Sequence, residues 1–594
     1  MERVADYVIK TIAAAGGAHI FMVTGRGILQ LTDAVAKNAE VSGISTLHEQ
    51  GASYAAMAYA KATGKVGVCL VSTGCAAANA VTGCLCAYQD NLPVVFLSGN
   101  HFLAETTRYT KVPIRTYGSQ EADIIRMVES VTKYAVMLTD PEDTAYELQK
   151  ALYIAQDGRK GPVWIDIPLD VQGMRIEPEK LRQFEPFTEM GSSVNESVRM
   201  VAEELQNAKR PLLLIGGGCR GCSDAIGRLS ESFRIPVVYT FSACDIYGSG
   251  NRLSIGAIGS LGAPRAGNFA LQNADYILVV GSKLCSQTIG GFPEKIAREA
   301  KVVVVDIDPQ EHTKEGMHID DFIHAYAADF FAELGKCPIE LATQDWVERC
   351  LHWKDVFSVS GENFTAPGPE GQIDLYMFAD TLNNKMGADT AVITDAGLEE
   401  LIIPSTVSYQ GRQKCFFPVA QGAMGYAVAA ITGAWFGGCK NILAVVGDGS
   451  VMMNIQELQL LQYHKIPVKI CIMNNNMYAV IRSRQKDLFR TRTIGNDESD
   501  GVPAPDFKKL AEAFGLQYQC IRNQDELEQG LDDLIAEDRP VLCEIFCKED
   551  QKYFHTSFRK GVNGTLVRPP IEDQSPFMDR ELFLSEMIVE PIDL

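Results

Sequence analysis

A carboxylate between two glycines, with a pair of asparagines downstream, offers this chain its clearest chemistry. Gly447-Asp448-Gly449-Ser450 follows the apolar run NILAVV, and Asn475, twenty-seven positions after Asp448, closes a second apolar run, PVKICIM. Two such runs joined by the helix-like MNIQELQLLQYHK read as a strand-helix-strand unit, so Asp448 and Asn475 fall at one edge of a parallel sheet. The glycines let backbone N–H groups approach a phosphate closely. Asp448, the side-chain oxygen of Asn475 and a loop carbonyl, that of Met477, can then share one hard cation with a diphosphate. Magnesium suits that ligand set, because it takes few protein oxygens and completes its octahedron from phosphate and water.

A diphosphate cofactor needs a second group to act on its far end. Glu49, in TLHEQGASYAAMAYAKATGK, stands where a strand passes into a small-residue helix. A carboxyl buried there has a raised pKa and can exchange a proton with a ring nitrogen. The plainer reading is a solvated acid at a helix start. With these motifs the sequence resembles the thiamin diphosphate (ThDP) enzymes, and GDGSVMMNIQELQLLQYHKIPVKICIMNNN is most similar to the acetolactate synthase large-subunit branch, over residues 1 to about 550. The resemblance implies that Glu49 activates the aminopyrimidine and that Gln120, in GSQEADIIRMV, is an active-site glutamine. It implies that Met424, beside Ala423 in QGAMGYAVAA, bends the cofactor into a V, although a core methionine is the simpler reading. That bend would set an intramolecular base against the thiazolium C2–H. Gly25, the loop Ala396-Gly397-Leu398, and Tyr478, Ala479 and Val480 beyond the Asn pair join Gly447, Asp448, Gly449, Ser450, Asn475 and Met477 as implied cofactor contacts. The family forms its sites between subunits, so a homodimer is the smallest assembly implied, and a tetramer is common.

The departures are informative. Gly74-Cys75-Ala76 replaces the family's Gly-Pro-Gly, Thr24-Gly25-Arg26-Gly27 replaces a Pro-Gly-Gly loop, and Arg484 stands in place of a tryptophan that selects the second 2-oxo acid. An arginine is a fork for carboxylate or phosphate. Arg26 and Arg484 are therefore candidate substrate residues, with a surface charge as the alternative for each and the favoured reading for Arg482. TRYTKVPIRTYGSQEADI and the tail PPIEDQSPFMDRE resemble relatives from surface-polysaccharide sugar pathways, which points to a nucleotide-linked keto sugar as acceptor. The expected reaction is decarboxylation of a 2-oxo acid, probable donor pyruvate, and transfer of the acyl unit to a carbonyl acceptor. A decarboxylase releasing an aldehyde and a catalytically silent relative remain open. So does a flavin- or NAD-linked oxidoreductase, because Gly216-Gly217-Gly218-Cys219-Arg220-Gly221 satisfies GxGxxG, although no acid is placed after the next strand. FAD is possible in this middle unit: Asp306 and Asp308 match part of the family's pattern, but Lys283-Leu284-Cys285-Ser286 replaces its Arg-Phe-Asp-Asp.

These residues must be positioned by a large α/β scaffold. The 594 residues suffice for several domains. Alternating helix- and strand-like segments predict three doubly wound parallel-sheet units: 1–175 (pyrimidine-binding), 195–335 (Rossmann-like) and 370–550 (diphosphate- and magnesium-binding). A polar linker follows the first unit, and a tail, 551–594, is expected to wrap an existing surface, with a lid as one reading. A net charge of −21 argues against nucleic acid or an anionic membrane as partner, so an anionic substrate must meet local cations. The sixteen cysteines sit mostly in apolar segments and read as buried hydrophobes, Cys84 and Cys86 included. With no basic start or cleavage site in MERVADYVIKTIAAAGG and no membrane-length apolar run, the expected location is cytoplasmic.

Overall fold

The computed structural model describes residues 1–187, 194–315, 318–362, 364–561 and 564–592; part of the linker, 188–193, lies outside the described residues. Three six-stranded sheets follow one another along the chain, and every strand pair inside them is parallel. The first sheet holds β1 (His19–Met22), β2 (Ser42–Ser45), β3 (Gly67–Val71), β4 (Val94–Asn100), β5 (Tyr134–Met137) and β6 (Val163–Pro168), in the order β2-β1-β3-β4-β6-β5. The second holds β7 (Pro211–Ile215), β8 (Val237–Tyr239), β9 (Ser254–Ala257), β10 (Tyr276–Val280), β11 (Lys301–Asp306) and β12 (Asp321–His324), ordered β9-β8-β7-β10-β11-β12. That is the dinucleotide-fold order. The third holds β13 (Thr390–Ile393), β14 (Lys414–Phe416), β15 (Asn441–Gly447), β16 (Lys469–Asn474), β17 (Gln517–Ile521) and β18 (Val541–Phe546), ordered β14-β13-β15-β16-β18-β17. First and third sheets thus share one topology. The Val- and Ile-rich runs are buried on both faces, as strands covered by crossover helices must be.

Two helices join those sheets. Helix α1 (Glu49–Thr63) starts at His48, whose Nδ1 accepts the Gln50 N–H at 3.1 Å, and ends at Gly64, left-handed at φ 71°. Its Ala-rich middle is buried, and its partner is the equally buried Tyr426–Phe436, at the far end of the sequence. A Cβ on Gly433 would strike the Ala55 carbonyl, so only glycine permits this backbone approach. One apolar cluster accordingly runs through both units, from Phe21 and Ala55 to Ile431 and Val446.

The tail is built into the middle unit. Ile571 and Phe583 join its core, and Arg265, 1 % exposed, pairs with Glu362 at 2.7 Å and donates to the carbonyls of Gln574 and Pro576. Residues 571–589 are therefore a fixed strap, and the wrapped surface belongs to the middle unit. Cys219 and Cys222 stand at CxxC spacing, where the sequence reading finds buried hydrophobes and no CxxC pair suited to zinc. Both are buried and unbridged, with Cys219 Sγ on the Val280 carbonyl. Among the described residues no helix is long and apolar enough to cross a membrane.

Candidate active site

Strands β15 and β16 end in register, Gly447 opposite Met473, which sets Asp448 beside the Asn pair. The two asparagines then separate in role. Asn474 turns inward and donates to Glu544 at 2.6 Å, while the Asn475 N–H donates to Asp448 Oδ2 at 3.1 Å and Asn475 Oδ1 accepts from Met477 N–H at 3.2 Å. Asp448 is 5 % exposed and has no cationic partner among the described residues; burial pushes its carboxyl up to about 6, against the pull of nearby backbone N–H groups. A buried carboxyl in that condition is completed by a cation. No group of three or more His, Cys, Asp or Glu side chains among the described residues could hold a metal alone. A cation here would take Asp448, Asn475 Oδ1 and a backbone carbonyl such as that of Met477, and fill its shell from phosphate and water, which fits magnesium with a diphosphate. The Met477 thioether is otherwise engaged, accepting from Arg482 at 3.1 Å.

Around Asp448 the loops are tied by a residue with no recognisable motif. Asp395, fully buried at the end of β13, accepts the N–H groups of Ala396 (2.7 Å), Gly425 (3.1 Å) and Ala427 (3.2 Å) and the Ser450 hydroxyl. One carboxyl thus clamps the Ala396-Gly397-Leu398 loop, the Ala423–Met424 loop and the GDGS turn. Gly397 and Gly425 both have positive φ, 75° and 83°, where a side chain is strained. Gly449 lies under the Tyr478 ring, leaving no room for a Cβ. Ala479 and Val480 are half-buried at the start of the next helix, Ala479–Phe489. Glu399, also unsignalled by sequence, lies against Gly397 and Gly447, with its carboxyl pushed up to about 8 by burial and then by Asp448 and Asp395. At neutral pH it adds no negative charge to the cradle.

The remaining expected residues lie on the first sheet's edge. Glu49, the first residue of α1, is only partly buried within one chain, short of the apolar burial expected; its Oε2 accepts from Asn79 Nδ2 at 2.9 Å. Gln120 is exposed and left-handed, φ 65°, with its carbonyl packed on Gly74. Gly25 and Arg26 lie in the turn after β1, Arg26 exposed and without an ion pair among the described residues. Arg484 is half-buried against Tyr553 and near His555 and Asp487, so the tail competes for it. Arg482 faces Asp497 and Glu549, as a structural charge would. Sequence reasoning also missed Asn454 and Glu457, which reach across to the Glu49 turn: Glu457 Oε1 accepts the Leu47 N–H at 3.1 Å, and Asn454 Nδ2 donates to Gln50 at 2.8 Å.

The middle unit does not offer a dinucleotide cradle at its GxGxxG turn. The Gly218 N–H is spent on the Gly281 carbonyl at 2.9 Å, Gly216 packs directly on that carbonyl, and Arg220 turns inward to Asp245 at 3.0 Å. Asp308 is paired with Arg159 at 2.9 Å, and β8 ends at Tyr239 without an acid.

Comparison with known proteins agrees with this arrangement. Family models for the thiamine pyrophosphate enzymes match in order: the N-terminal TPP binding domain at residues 2–127, the central domain at 198–334 and the C-terminal TPP binding domain at 395–545. The acetolactate synthase large subunit of Lactococcus lactis is 29% identical over 551 residues, 92% of each chain. Isozyme 2 of Escherichia coli is 29% identical over 554 residues, 92% of this chain and 95% of its own. The probable acetolactate synthase large subunit of Methanocaldococcus jannaschii is 30% identical over 561 residues, 91% of each chain. A likeness that runs through all three sheets and nearly the whole length of each relative settles the family: this chain is a thiamine pyrophosphate enzyme of the acetolactate synthase large-subunit branch.

Proposed function

We propose that the protein, with ThDP and magnesium, decarboxylates a 2-oxo acid, pyruvate in the first instance, and passes the acyl unit to a carbonyl acceptor. The observation that carries this reading is the Asp448–Asn475 cradle, a buried carboxyl with no cationic side chain paired to it among the described residues, inside loops clamped by Asp395. When bound, ThDP supplies a carbanion centre that takes up the acyl group as CO2 leaves. The chain's own residues do the rest. Asp448, Asn475 Oδ1 and the Met477 carbonyl would hold magnesium, Ser450 and the 396–398 loop would hold phosphate, Met424 would support the cofactor, and Glu49 would exchange a proton with the aminopyrimidine nitrogen. Exposed Gln120 and Arg26 would serve the reacting end. Arg26, exposed and without an ion pair among the described residues in a chain of net charge −21, favours an anionic acceptor such as a nucleotide-linked keto sugar. FAD has no part in the reaction as derived from these residues.

The merely partial burial of Glu49 in one chain supports a homodimer in which a second copy completes the site. Exposed Tyr109, Val112 and Ile114 on the first unit and Leu488, Phe489 and Ile494 on the third give that copy apolar surface to cover. The test is incubation with ThDP, magnesium and pyruvate, with and without keto acids and nucleotide keto sugars, measuring CO2 and product mass. Acceptor-dependent CO2 with a two-carbon gain in mass is expected. Free acetaldehyde would identify a decarboxylase instead, and no CO2 would refute the donor.

A further inference from the structure

Glu457 belongs to the third unit but is spent on the first. It ends the 3₁₀ segment Val451–Glu457 that leads away from the GDGS turn, is 1 % exposed, and accepts the backbone N–H groups of Leu47, at 3.1 Å, and His48. These are the two residues before Glu49. On the next turn of α1 a Cβ at Gly51 would lie 2.5 Å from Glu457 Oε1, so the carboxyl is packed against the helix as well as bonded to its start. Three residues upstream the segment kinks at Asn454 (φ −133°, ψ 39°). That kink lets Asn454 Nδ2 donate both to Gln50 Oε1, at 2.8 Å, and to the Gly425 carbonyl, at 3.1 Å, in the loop beside Met424. Glu49 is therefore bracketed: Leu47 and His48 are held on one side and Gln50 on the other, all by one short segment of the distant unit.

We infer that Glu457, with Asn454, is a positioning residue that fixes the angle at which Glu49 addresses the cofactor. The inference rests on the reading of Glu49 as the group acting on the aminopyrimidine. Among the described residues the Glu49 side chain itself has only Asn79 as hydrogen-bond partner, at 2.9 Å, and stays partly exposed, so its direction is set by its backbone. An oxygen acceptor at Glu457 is what the two N–H groups require, and its charge is secondary: burial already pushes the carboxyl up to about 7.

The experiment follows deuterium exchange at C2 of bound ThDP without substrate, alongside ThDP–magnesium affinity by calorimetry. Glu457→Leu removes the acceptor, Gly51→Ala displaces it sterically with a better helix former, and Glu457→Gln keeps it. The expected result is exchange slowed about a hundredfold in the first two, the scale of an ångström misplacement. Glu457→Gln should stay near wild type, and cofactor affinity should be unchanged throughout. If Glu457→Leu fails to fold, Gly51→Ala carries the test alone. Wild-type exchange in Gly51→Ala, or a loss in Glu457→Gln equal to that in Glu457→Leu, overturns the inference. Glu49→Gln separates the failures: slow exchange there with wild-type exchange in Gly51→Ala sinks only the positioning role. Wild-type exchange in Glu49→Gln sinks the role of Glu49 too.

Discussion

Asp395→Ala asks whether one buried carboxyl holds the three cofactor loops together. The N–H groups of Ala396 and Ala427 and the Ser450 hydroxyl would lose their acceptor, while the Gly425 N–H keeps its second one, the Ser450 hydroxyl oxygen, at 3.0 Å. A buried donor left unpaired costs about 1–3 kcal/mol, so three cost about 3–9 kcal/mol when no water enters. An opposing effect comes from the wild-type carboxylate, which burial pushes from an ordinary value of 3.8 up to about 6. Once ionised it costs the native state about 3 kcal/mol, which the alanine variant is spared. The net expectation at pH 8 is a loss of a few kcal/mol. The pH dependence has a definite sign. Because the folded value is the higher, the native protein binds more protons than the unfolded chain between 3.8 and about 6, so wild-type stability falls as pH rises through that window. Acidification from pH 8 to pH 5 therefore stabilises wild type by about 1 kcal/mol relative to the variant. Urea unfolding of both cofactor-free proteins at the two pH values, followed by circular dichroism, measures the gap. A gap that stays constant or shrinks on acidification refutes the raised carboxyl, and a variant as stable as wild type at both pH values refutes the clamp.

Glu49→Gln should lower turnover by about 10²–10⁴ while ThDP binding persists; steady-state kinetics and calorimetry read the two separately. Asp448 must shed its proton to take a cation and is pushed up to about 6, so magnesium-dependent ThDP affinity, titrated calorimetrically, should fall as pH drops below that value. Gly449→Ala drives a methyl into the Tyr478 ring and should weaken cofactor binding by about 1–3 kcal/mol with little change in fold, measured by calorimetry and circular dichroism. Arg265→Ala takes the guanidinium from partly buried Glu362 and from the carbonyls of Gln574 and Pro576 and should destabilise by about 3 kcal/mol, with limited proteolysis cutting first in the released strap.

The Asp448–Asn475 pairing was legible because it lies within one strand-helix-strand unit, where spacing maps directly onto a sheet edge. The alternation of apolar runs likewise announced three parallel sheets. What the sequence hid was whatever depends on the meeting of two units. Glu457 is an ordinary acid in an amphipathic run until α1 docks beside it, some four hundred positions away. Asp395 looks like the polar end of a strand, and only its coordinates reveal three backbone donors converging on it. The partial burial of Glu49 within one chain was equally hidden, since burial at a domain edge depends on neighbours that local pattern cannot supply. The GxGxxG run shows the opposite error: its spacing is right, but Gly281 and Asp245 have already taken the groups a dinucleotide would use.

The glycine-mediated contact of α1 with Tyr426–Phe436 also bears on how the chain is made. Helix α1 leaves the ribosome roughly 360 residues before its partner. At usual rates of synthesis that interval is about 20–70 s. Throughout it the part of the Ala-rich face that packs on Tyr426–Phe436 lacks its cover. The first sheet therefore has to wait, half finished, for the third, which makes its nascent form a natural client for a chaperone and makes truncation anywhere before residue 436 a route to aggregation rather than to a smaller working enzyme.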